Sequence, residues 1–279
     1  MWAIRLAVMA GLFFCLAWLP AWAADDQPYN KQGFIAYQAG DYDAAFAAFS
    51  RGREAGESHS MRNLGILYVY GQGAARDVEK AHDLFLEAWN KGDATGGYYL
   101  GWMSDGDVEG WPVDRREALH WYRLAAEKGD IDAQSSLGRY LTEGVAGSVD
   151  MDEGAHWYRV AAERGDPTAQ FNLGRLYTTE AHYKVDWNEC VKWEVMAAET
   201  GDKDAQQGAG WCLMRRHHTG DWVESYKWMR LAADQNQDIA VQMLACYNRC
   251  EGWPVLSEVE LTEAKRRARE FHPRAVNIQ

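Results

Sequence analysis

The sequence repeats itself at a nearly constant step along most of its length. A Leu-Gly dipeptide recurs and then decays, with successive copies 36 or 37 residues apart. Self-similarity at this period is typical of solenoids, in which each unit buries its apolar face against its neighbours. We therefore expect an array of short repeats without a single central core. The six positions are Leu64-Gly65, Leu100-Gly101, Leu137-Gly138, Leu173-Gly174, Ala209-Gly210 and Ala245-Cys246.

Residues 131–166 show the plan of one repeat. Asp130 precedes apolar residues at helical spacing, and its side chain can cap the start of a first helix. Gly138 lies inside that helix, where glycine costs about 1 kcal/mol relative to alanine. Its recurrence predicts that a second helix crosses too closely for a side chain to fit. Asp150 begins the second helix and Gly165 ends it, so each unit is predicted to be helix–loop–helix–turn and the fold all-α.

Residues 1–23 have the features of a secretory signal peptide. Arg5 gives a positive start, residues 6–19 are apolar, and Ala21 and Ala23 stand where a signal peptidase reads small residues. The apolar stretch is shorter than the ~20 residues of a bilayer span. We expect cleavage after Ala23, no membrane span in the mature chain, and a periplasmic or secreted protein.

The charge of the chain narrows its choice of partners. It contains 41 Asp and Glu residues against 29 Lys and Arg residues, a formal net charge of −12. This balance argues against nucleic acid or an anionic membrane surface as the partner. Solubility is a sufficient explanation for the acidity.

Four cysteines follow the signal segment, and an even number in an exported chain indicates disulfides. Cys190 and Cys212 each lie 11 residues from Gly201. Residues equidistant from the turn of an antiparallel helical hairpin face each other, so we favour a Cys190–Cys212 bridge. Cys246 and Cys250 are four residues apart, and their bridge requires the helix to fray at Cys250. Zinc is the alternative use, but no histidine lies nearby at ligand spacing.

Several positions that recur together in register resemble the Sel1-like repeat. The shared pattern is Leu-Gly-x-x-Tyr, then Gly-x-Gly or Gly-x-x-Val, then Asp, Ala-x-x-Trp-Tyr and Ala-Ala-x-x-Gly-Asp. This family is related to tetratricopeptide repeats but has a longer loop between its helices. Together with the signal peptide (1–23), the resemblance divides the chain into a tetratricopeptide-like helix pair (29–56) and the Sel1-like array (58–255), and the residues after the array are expected to form a C-terminal capping helix and tail (256–279).

The resemblance implies a right-handed superhelical solenoid of helix–loop–helix repeats of about 36 residues, with the first helices lining a concave face. Members of the family are mostly adaptors that hold protein complexes together. Exported bacterial members act in envelope signalling, exopolysaccharide control and host contact. The chain departs from the pattern at Ala209-Gly210, at Cys246 and over 179–183, so we expect irregular packing in the last two units.

A candidate partner-binding surface follows from helical spacing on the first helices. Positions three before, one after and four after the key glycine lie on one face. Trp, Tyr and Arg are over-represented at the energetic centres of interfaces, and arginines along one groove suit an extended peptide with acidic side chains. Alternatively, the rings pack internally and the arginines pair with local acids. The candidates are Arg62, Tyr98, Trp102, Arg139, Phe171, Arg175, Trp211, Arg215 and Tyr247.

Other chemistry has little support in the sequence. His82, His120 and His156 take equivalent places in neighbouring repeats, about 10 Å apart, which is too far to share a metal ion. No nucleophile elbow or phosphate-binding glycine loop is present. We predict no catalytic residue, metal or cofactor, and an envelope adaptor that binds protein or peptide. The alternatives are a glycan-associated scaffold and a β-lactam-hydrolysing enzyme. Four tryptophans at one second-helix position are predicted to be core: Trp121, Trp157, Trp193 and Trp228.

Overall fold

A computed structural model describes residues 27–178, 183–218, 220–247, 249–250 and 255–275. These residues form α-helices and connecting turns, with no strand among them. The predicted signal peptide, most of the segment 179–183 that departs from the repeat pattern, and residues 251–254 near the end of the predicted array lie outside the described residues. Helical contacts divide the chain into two compact units, one ending at Gly96 and one starting at Gly97.

The first unit contains four helices and the start of a fifth. Helices α1 to α4 pack in chain order, each against the next. The core between them is formed by Phe49, Met61, Leu64, Leu67 and Leu84. The helices are α1 (Pro28–Gln38), α2 (Tyr42–Glu54), α3 (Ser58–Tyr70), α4 (Val78–Asn90) and α5 (Ala94–Trp102).

The second unit is also a succession of antiparallel helix pairs. A π-helical turn (Met103–Asp107) follows α5, and from α6 to α13 each helix packs against the next. The last helix packs against α12. The helices are α6 (Arg115–Glu127), α7 (Ile131–Glu143), α8 (Met151–Glu163), α9 (Pro167–Leu176), α10 (Trp187–Ala198), α11 (Lys203–Arg216), α12 (Asp221–Asp234), α13 (Asp238–Cys246) and α14 (Glu258–Arg269).

The repeated glycines explain the close crossing of the two helices in each repeat. A Cβ atom at Gly138 would lie 2.6 Å from Cδ1 of Tyr158, and one at Gly65 would lie 2.7 Å from Cε1 of Phe85. Real Cβ atoms do not approach so closely, so the prediction of a close second helix is confirmed. The residues that fill this position opposite the key glycine are Phe85, Tyr122, Tyr158, Glu194 and Met229.

The ends of the helices follow the sequence signals. Asp130 accepts a hydrogen bond from the backbone N–H of Ala133 at 2.8 Å, as its capping role predicts. Asn236 follows α12 with a φ of 60°, the left-handed conformation that Gly129, Gly165 and Gly201 adopt after the second helices of earlier repeats. Ser257 and Glu260 form a capping box at the start of α14.

The tryptophan positions are only partly as predicted. Trp193 and Trp228 are buried, with 1% and 2% exposure, whereas Trp121 and Trp157 are half-buried. Each of these rings precedes the residue that packs on the key glycine, so it lies at the flank of the helix crossing. Whether the flank is covered then depends on the next helix. Phe271, for example, covers Trp228 with ring centroids 5.2 Å apart.

Candidate functional site

Two arginines of the predicted face are engaged by acids of their own unit. In the first unit, Nε of Arg62 lies 3.2 Å from Oδ2 of Asp93. In the second, Nη2 of Arg139 donates to Oδ2 of Asp105 at 2.7 Å. Their charges are thus already opposed by a carboxylate, as the alternative interpretation of these arginines expected. Their partner-binding role stays a prediction.

Three aromatic residues of that face pack against neighbouring rings. Tyr98 is half-buried, with its ring centroid 5.9 Å from that of Tyr122, and burial raises the pKa of Tyr98. Trp102 lies edge-on to another tyrosine at 5.8 Å. Tyr247 is buried, its hydroxyl lies 2.5 Å from Oγ of Ser225, and burial raises its pKa to about 12.

The burial of Tyr247 differs from the exposed position expected for it. Helix α13 ends at Cys246, and the backbone at Tyr247 becomes extended, with a ψ of 129°. Because Tyr247 lies one residue beyond the helix, helical spacing no longer predicts which way its side chain points. The ring turns inward and meets Tyr226 edge-on, with centroids 5.2 Å apart.

The remaining four predicted residues line one cavity of the second unit. Phe171 and Arg175 are four residues apart on α9, and Trp211 and Arg215 are four residues apart on α11. Such pairs share a helix face, and both faces look into the space between α9, α10 and α11. The cavity has a volume of about 480 Å³, which is within the usual range for ligand sites.

The arginines of this cavity are held by rings and not by acids. The guanidinium of Arg175 lies 5.6 Å from the centroid of Phe171. That of Arg215 lies 5.4 Å from Trp187 and 5.7 Å from Trp211. Stacking of a cation on a ring face fixes its position without neutralising it. Both arginines are exposed, and within the described ranges neither forms an ion pair, although Arg175 acts electrostatically on the buried carboxyl group of Glu194.

A buried acid lines the same cavity. Glu194 on α10 is 1% exposed, and its Oε2 has no hydrogen-bond partner in the described part of the chain. Burial raises the pKa of Glu194 well above its ordinary value; Arg175 opposes this shift and Asp202 adds to it. A carboxyl group in such a place favours its neutral form, which keeps an O–H to donate.

Glycines on both sides make room for this acid. A Cβ atom at Gly174 would lie 2.6 Å from Cγ of Glu194, and one at Gly208 would overlap with its Oε2. The first glycine belongs to the repeated Leu-Gly signature, whereas the second does not. Glu194 therefore occupies the place that Tyr122 and Tyr158 fill in other repeats, with its carboxyl group extended toward the next first helix.

Sequence reasoning did not select Glu194, because second-helix positions were assigned to packing. The sequence does contain a signal for Glu194, which is its position within the repeat. The residue that follows the recurring tryptophan is a tyrosine or methionine in the other repeats, and only here does a carboxylate replace it. An acid at a core position of a repeat needs a partner or a function.

A disulfide closes the helical hairpin beside the cavity. Cys190 of α10 is bonded to Cys212 of α11, with Cα atoms 5.8 Å apart, as the symmetry about Gly201 predicts. Cys212 also lines the cavity. A second bridge joins Cys246 to Cys250, which lies beyond the end of α13. The first bridge ties together the two helices that carry Glu194 and Arg215.

The described part of the chain offers neither a metal-binding cluster nor a membrane-spanning helix. Across the ranges with coordinates described above, His, Cys, Asp and Glu side chains form no group of three that could hold a metal ion. In those same ranges, no helix combines the length and apolar character needed to cross a bilayer.

The sequence profile of the Sel1 repeat matches more than half of the chain, and the protein belongs to this family. Sel1 repeat proteins mediate protein–protein interactions. The matched repeats coincide with the helix pairs from α3 to α12, which confirms the family resemblance and the all-α solenoid class. The matched segments are 58–93, 98–130, 131–166, 167–202 and 203–237.

Solved structures agree with this assignment. A Sel1 repeat protein from Oxalobacter formigenes is 25% identical, with a TM-score of 0.66 over 90% of this chain and 98% of its own. A protective antigen present in uropathogenic Escherichia coli strains shows the same fold, with 23% identity and a TM-score of 0.56 over 87% of this chain and 60% of its own.

Two curated relatives match in part. An exopolysaccharide production negative regulator of Rhizobium meliloti is 31% identical over 135 residues, 43% of this chain and 49% of the relative. An ERAD-associated E3 ubiquitin-protein ligase component of Arabidopsis thaliana is 30% identical over 86 residues, 31% of this chain and 14% of the relative. The match thus spans about half of the first relative and a smaller part of the second.

Proposed function

We propose that this protein is an exported, non-catalytic scaffold that binds a protein or peptide partner in the bacterial cell envelope. The observation that carries the proposal is the cavity between α9 and α11, where Arg175 and Arg215 are exposed, stacked on rings and not ion-paired to a carboxylate among the described residues. Arginine and aromatic side chains are enriched at the energetic centres of interfaces. The Sel1 repeat fold supports the same function.

Export is supported by two independent features. The sequence predicts a signal peptide over 1–23. The structure contains two disulfides, and such bonds persist in the periplasm and outside the cell. Fractionation of cells that express the full chain tests this part, with a 24–279 chain as the control. Full-length protein retained in the cytoplasm at its uncleaved mass would contradict export.

The binding function is tested by photocrosslinking from inside living cells. A photoreactive phenylalanine at Trp211 samples the cavity, and the same residue at Val259 samples an exposed site on α14. We expect a protease-sensitive adduct from the Trp211 site only, and its loss when Arg215→Glu is added. Adducts of equal yield at both sites, or none at Trp211, would contradict partner binding at this cavity.

A glycan-associated scaffold is the second candidate. Trp211 is 37% exposed beside the cavity, and an exposed indole ring can stack on a sugar ring. The Rhizobium relative is an exopolysaccharide production negative regulator, which favours the same area of biology. Protection of tryptophan fluorescence by acidic oligosaccharides, lost in Trp211→Ala, would favour this candidate over the protein adaptor.

A further inference from the structure

We infer that the cavity formed by Phe171, Arg175, Glu194, Trp211 and Arg215 is a recognition pocket for a carboxylate side chain of an acidic peptide, with Glu194 donating a hydrogen bond to that carboxylate. The inference rests on the proposed function and adds the chemistry of the ligand and the role of a buried acid. It requires an anion-attracting entrance, a donor at the base, and a wall that accepts a peptide.

The entrance attracts anions because two guanidinium groups line it. Arg175 and Arg215 each present N–H donors that fit a carboxylate in a two-point geometry. Their stacking on Phe171, Trp187 and Trp211 limits their motion before a ligand arrives. Asp204 also lines the cavity, but its Oδ1 already accepts a hydrogen bond from Nε2 of Gln237 at 2.8 Å.

The donor at the base is the carboxyl group of Glu194. It is buried and lines the cavity, and Oε2 lacks a partner among the described residues. Burial raises its pKa well above the ordinary value, which favours the O–H form. A bound carboxylate would accept that hydrogen and remove the unsatisfied group. A cationic ligand would need ionised Glu194 and would have to pass two arginines.

The charges around Glu194 set the direction of its pH dependence. Arg175 on α9 and Arg215 on α11 carry positive charge, while Asp202 and Asp204 at the start of α11 carry negative charge. Ionisation of Glu194 would place a further negative charge against a bound carboxylate. Binding should therefore be tightest below the pKa of Glu194 and weaken as the pH rises through it.

The ring-lined wall favours a peptide as the source of the carboxylate. Phe171, Trp187 and Trp211 provide apolar surface on α9, α10 and α11, next to the two cations. An acidic residue followed by an apolar one would use both kinds of surface. A uronic acid oligomer offers the same carboxylate without an apolar side chain, so it is the competing ligand in the test.

The test compares labelled Gly-Ser peptides that contain Glu-Phe-Glu, Gln-Phe-Gln or Lys-Phe-Lys, titrated by fluorescence anisotropy with the mature chain. We expect the Glu-Phe-Glu peptide to bind at least tenfold more tightly than the other two. Arg175→Glu and Arg215→Glu should each weaken its binding about tenfold or more, since a charge-assisted hydrogen bond is lost. Arg269→Glu, the same charge change on α14, should leave binding unaltered.

Two substitutions at Glu194 test whether it donates a hydrogen bond to the ligand. Glu194→Gln keeps the shape and a donor, so it should bind the acidic peptide as the wild type does at the acidic end of a pH series, and as tightly or more tightly at its alkaline end. Glu194→Met removes the donor and uses the residue that the next repeat has at Met229. It should weaken binding about tenfold. Circular dichroism verifies that both variants are folded.

Several outcomes would overturn the inference. Preference for the Lys-Phe-Lys peptide that Glu194→Gln abolishes would assign a cation site instead. Equal binding of the three peptides, or no binding up to about 1 mM, would reject the carboxylate pocket, while a Trp211 crosslink to protein would still sustain the proposed function. Oligogalacturonate binding that outcompetes the acidic peptide, together with loss of that protein crosslink, would reject both.

Discussion

Arg139 donates from Nη2 to Oδ2 of Asp105 at 2.7 Å, which joins α7 to the π-helical turn of the preceding repeat. The carboxylate also accepts a hydrogen bond from the hydroxyl of Tyr140. This ion pair gives Arg139, which is predicted to bind a partner, a structural contact within the second unit. It separates this arginine from Arg175 and Arg215, which lack such a partner among the described residues.

Arg139→Glu should therefore reduce stability more than binding. Asp105 is only 10% exposed and would face a like charge. We expect the free energy of unfolding to fall by about 1–3 kcal/mol, as measured by urea denaturation with Arg269→Glu as the matched reversal. Unchanged stability combined with weaker capture of the acidic peptide would instead make Arg139 a partner contact.

Gly138→Ala tests the close helix crossing. In an exposed helix this change would stabilise by up to about 1 kcal/mol. Here the new methyl group would lie 2.6 Å from the ring of Tyr158, so we expect a loss of about 1–3 kcal/mol. Gly147→Ala is the control, since nothing lies within 4 Å of its added Cβ. A gain in thermal stability from Gly138→Ala would contradict the crossing geometry.

Glu194→Gln should change how stability depends on pH. The group's pKa in the folded protein lies above its ordinary value of 4.5 because of burial. Below pH 4.5 the carboxyl group is mostly protonated in both the folded and the unfolded protein. Above it the unfolded state ionises first, so wild-type stability falls as the pH rises through this window.

The neutral amide lacks this penalty. The difference in unfolding free energy between Glu194→Gln and the wild type should therefore grow in favour of the variant from about pH 4.5 upward. Chemical denaturation between about pH 4 and pH 9 measures it, with Glu163→Gln at an exposed site of α8 as the control. A difference that stays constant with pH would show that Glu194 is not a buried titrating acid.

The Cys190–Cys212 bridge should contribute more stability than the Cys246–Cys250 bridge. It closes 22 residues of chain against four. In the chain-entropy description, the longer loop corresponds to roughly 3 kcal/mol and the shorter to about 2 kcal/mol. Paired Cys→Ala variants, compared by their urea midpoints at equal m-value, measure the order. A larger loss from the shorter loop would contradict it.

The periodicity was enough to predict the fold because the repeat encodes its own packing. A glycine can recur inside a helix only if something opposes it, and Tyr158 opposite Gly138 is what the pattern required. The caps at Asp130 and Ser257 followed from local backbone chemistry. These features depend on residues close in sequence or one helix apart, so they can be predicted without coordinates.

The candidate site was only partly predictable, because its contacts depend on the course of the backbone outside the regular helices. Helical spacing selected Arg175, Trp211 and Arg215, but it also selected Arg139, whose engagement by Asp105 depends on the π-helical turn. Tyr247 is buried instead of exposed on the predicted face, because α13 ends just before it. Each difference arises where the regular helix stops and the course of the backbone decides the contact.

The position opposite the key glycine accepts a phenylalanine, a tyrosine, a methionine or a glutamate on the same helical framework. This position therefore tolerates different side chains without a change of fold, and the side chain that occupies it decides the local chemistry of each repeat. Glu194→Tyr would give this unit the residue that two other repeats have opposite the key glycine, and would remove the proposed donor. The substitution Met229→Glu, combined with a small residue at the facing position of the next first helix, is a way to move the proposed carboxylate-binding pocket one repeat along the array.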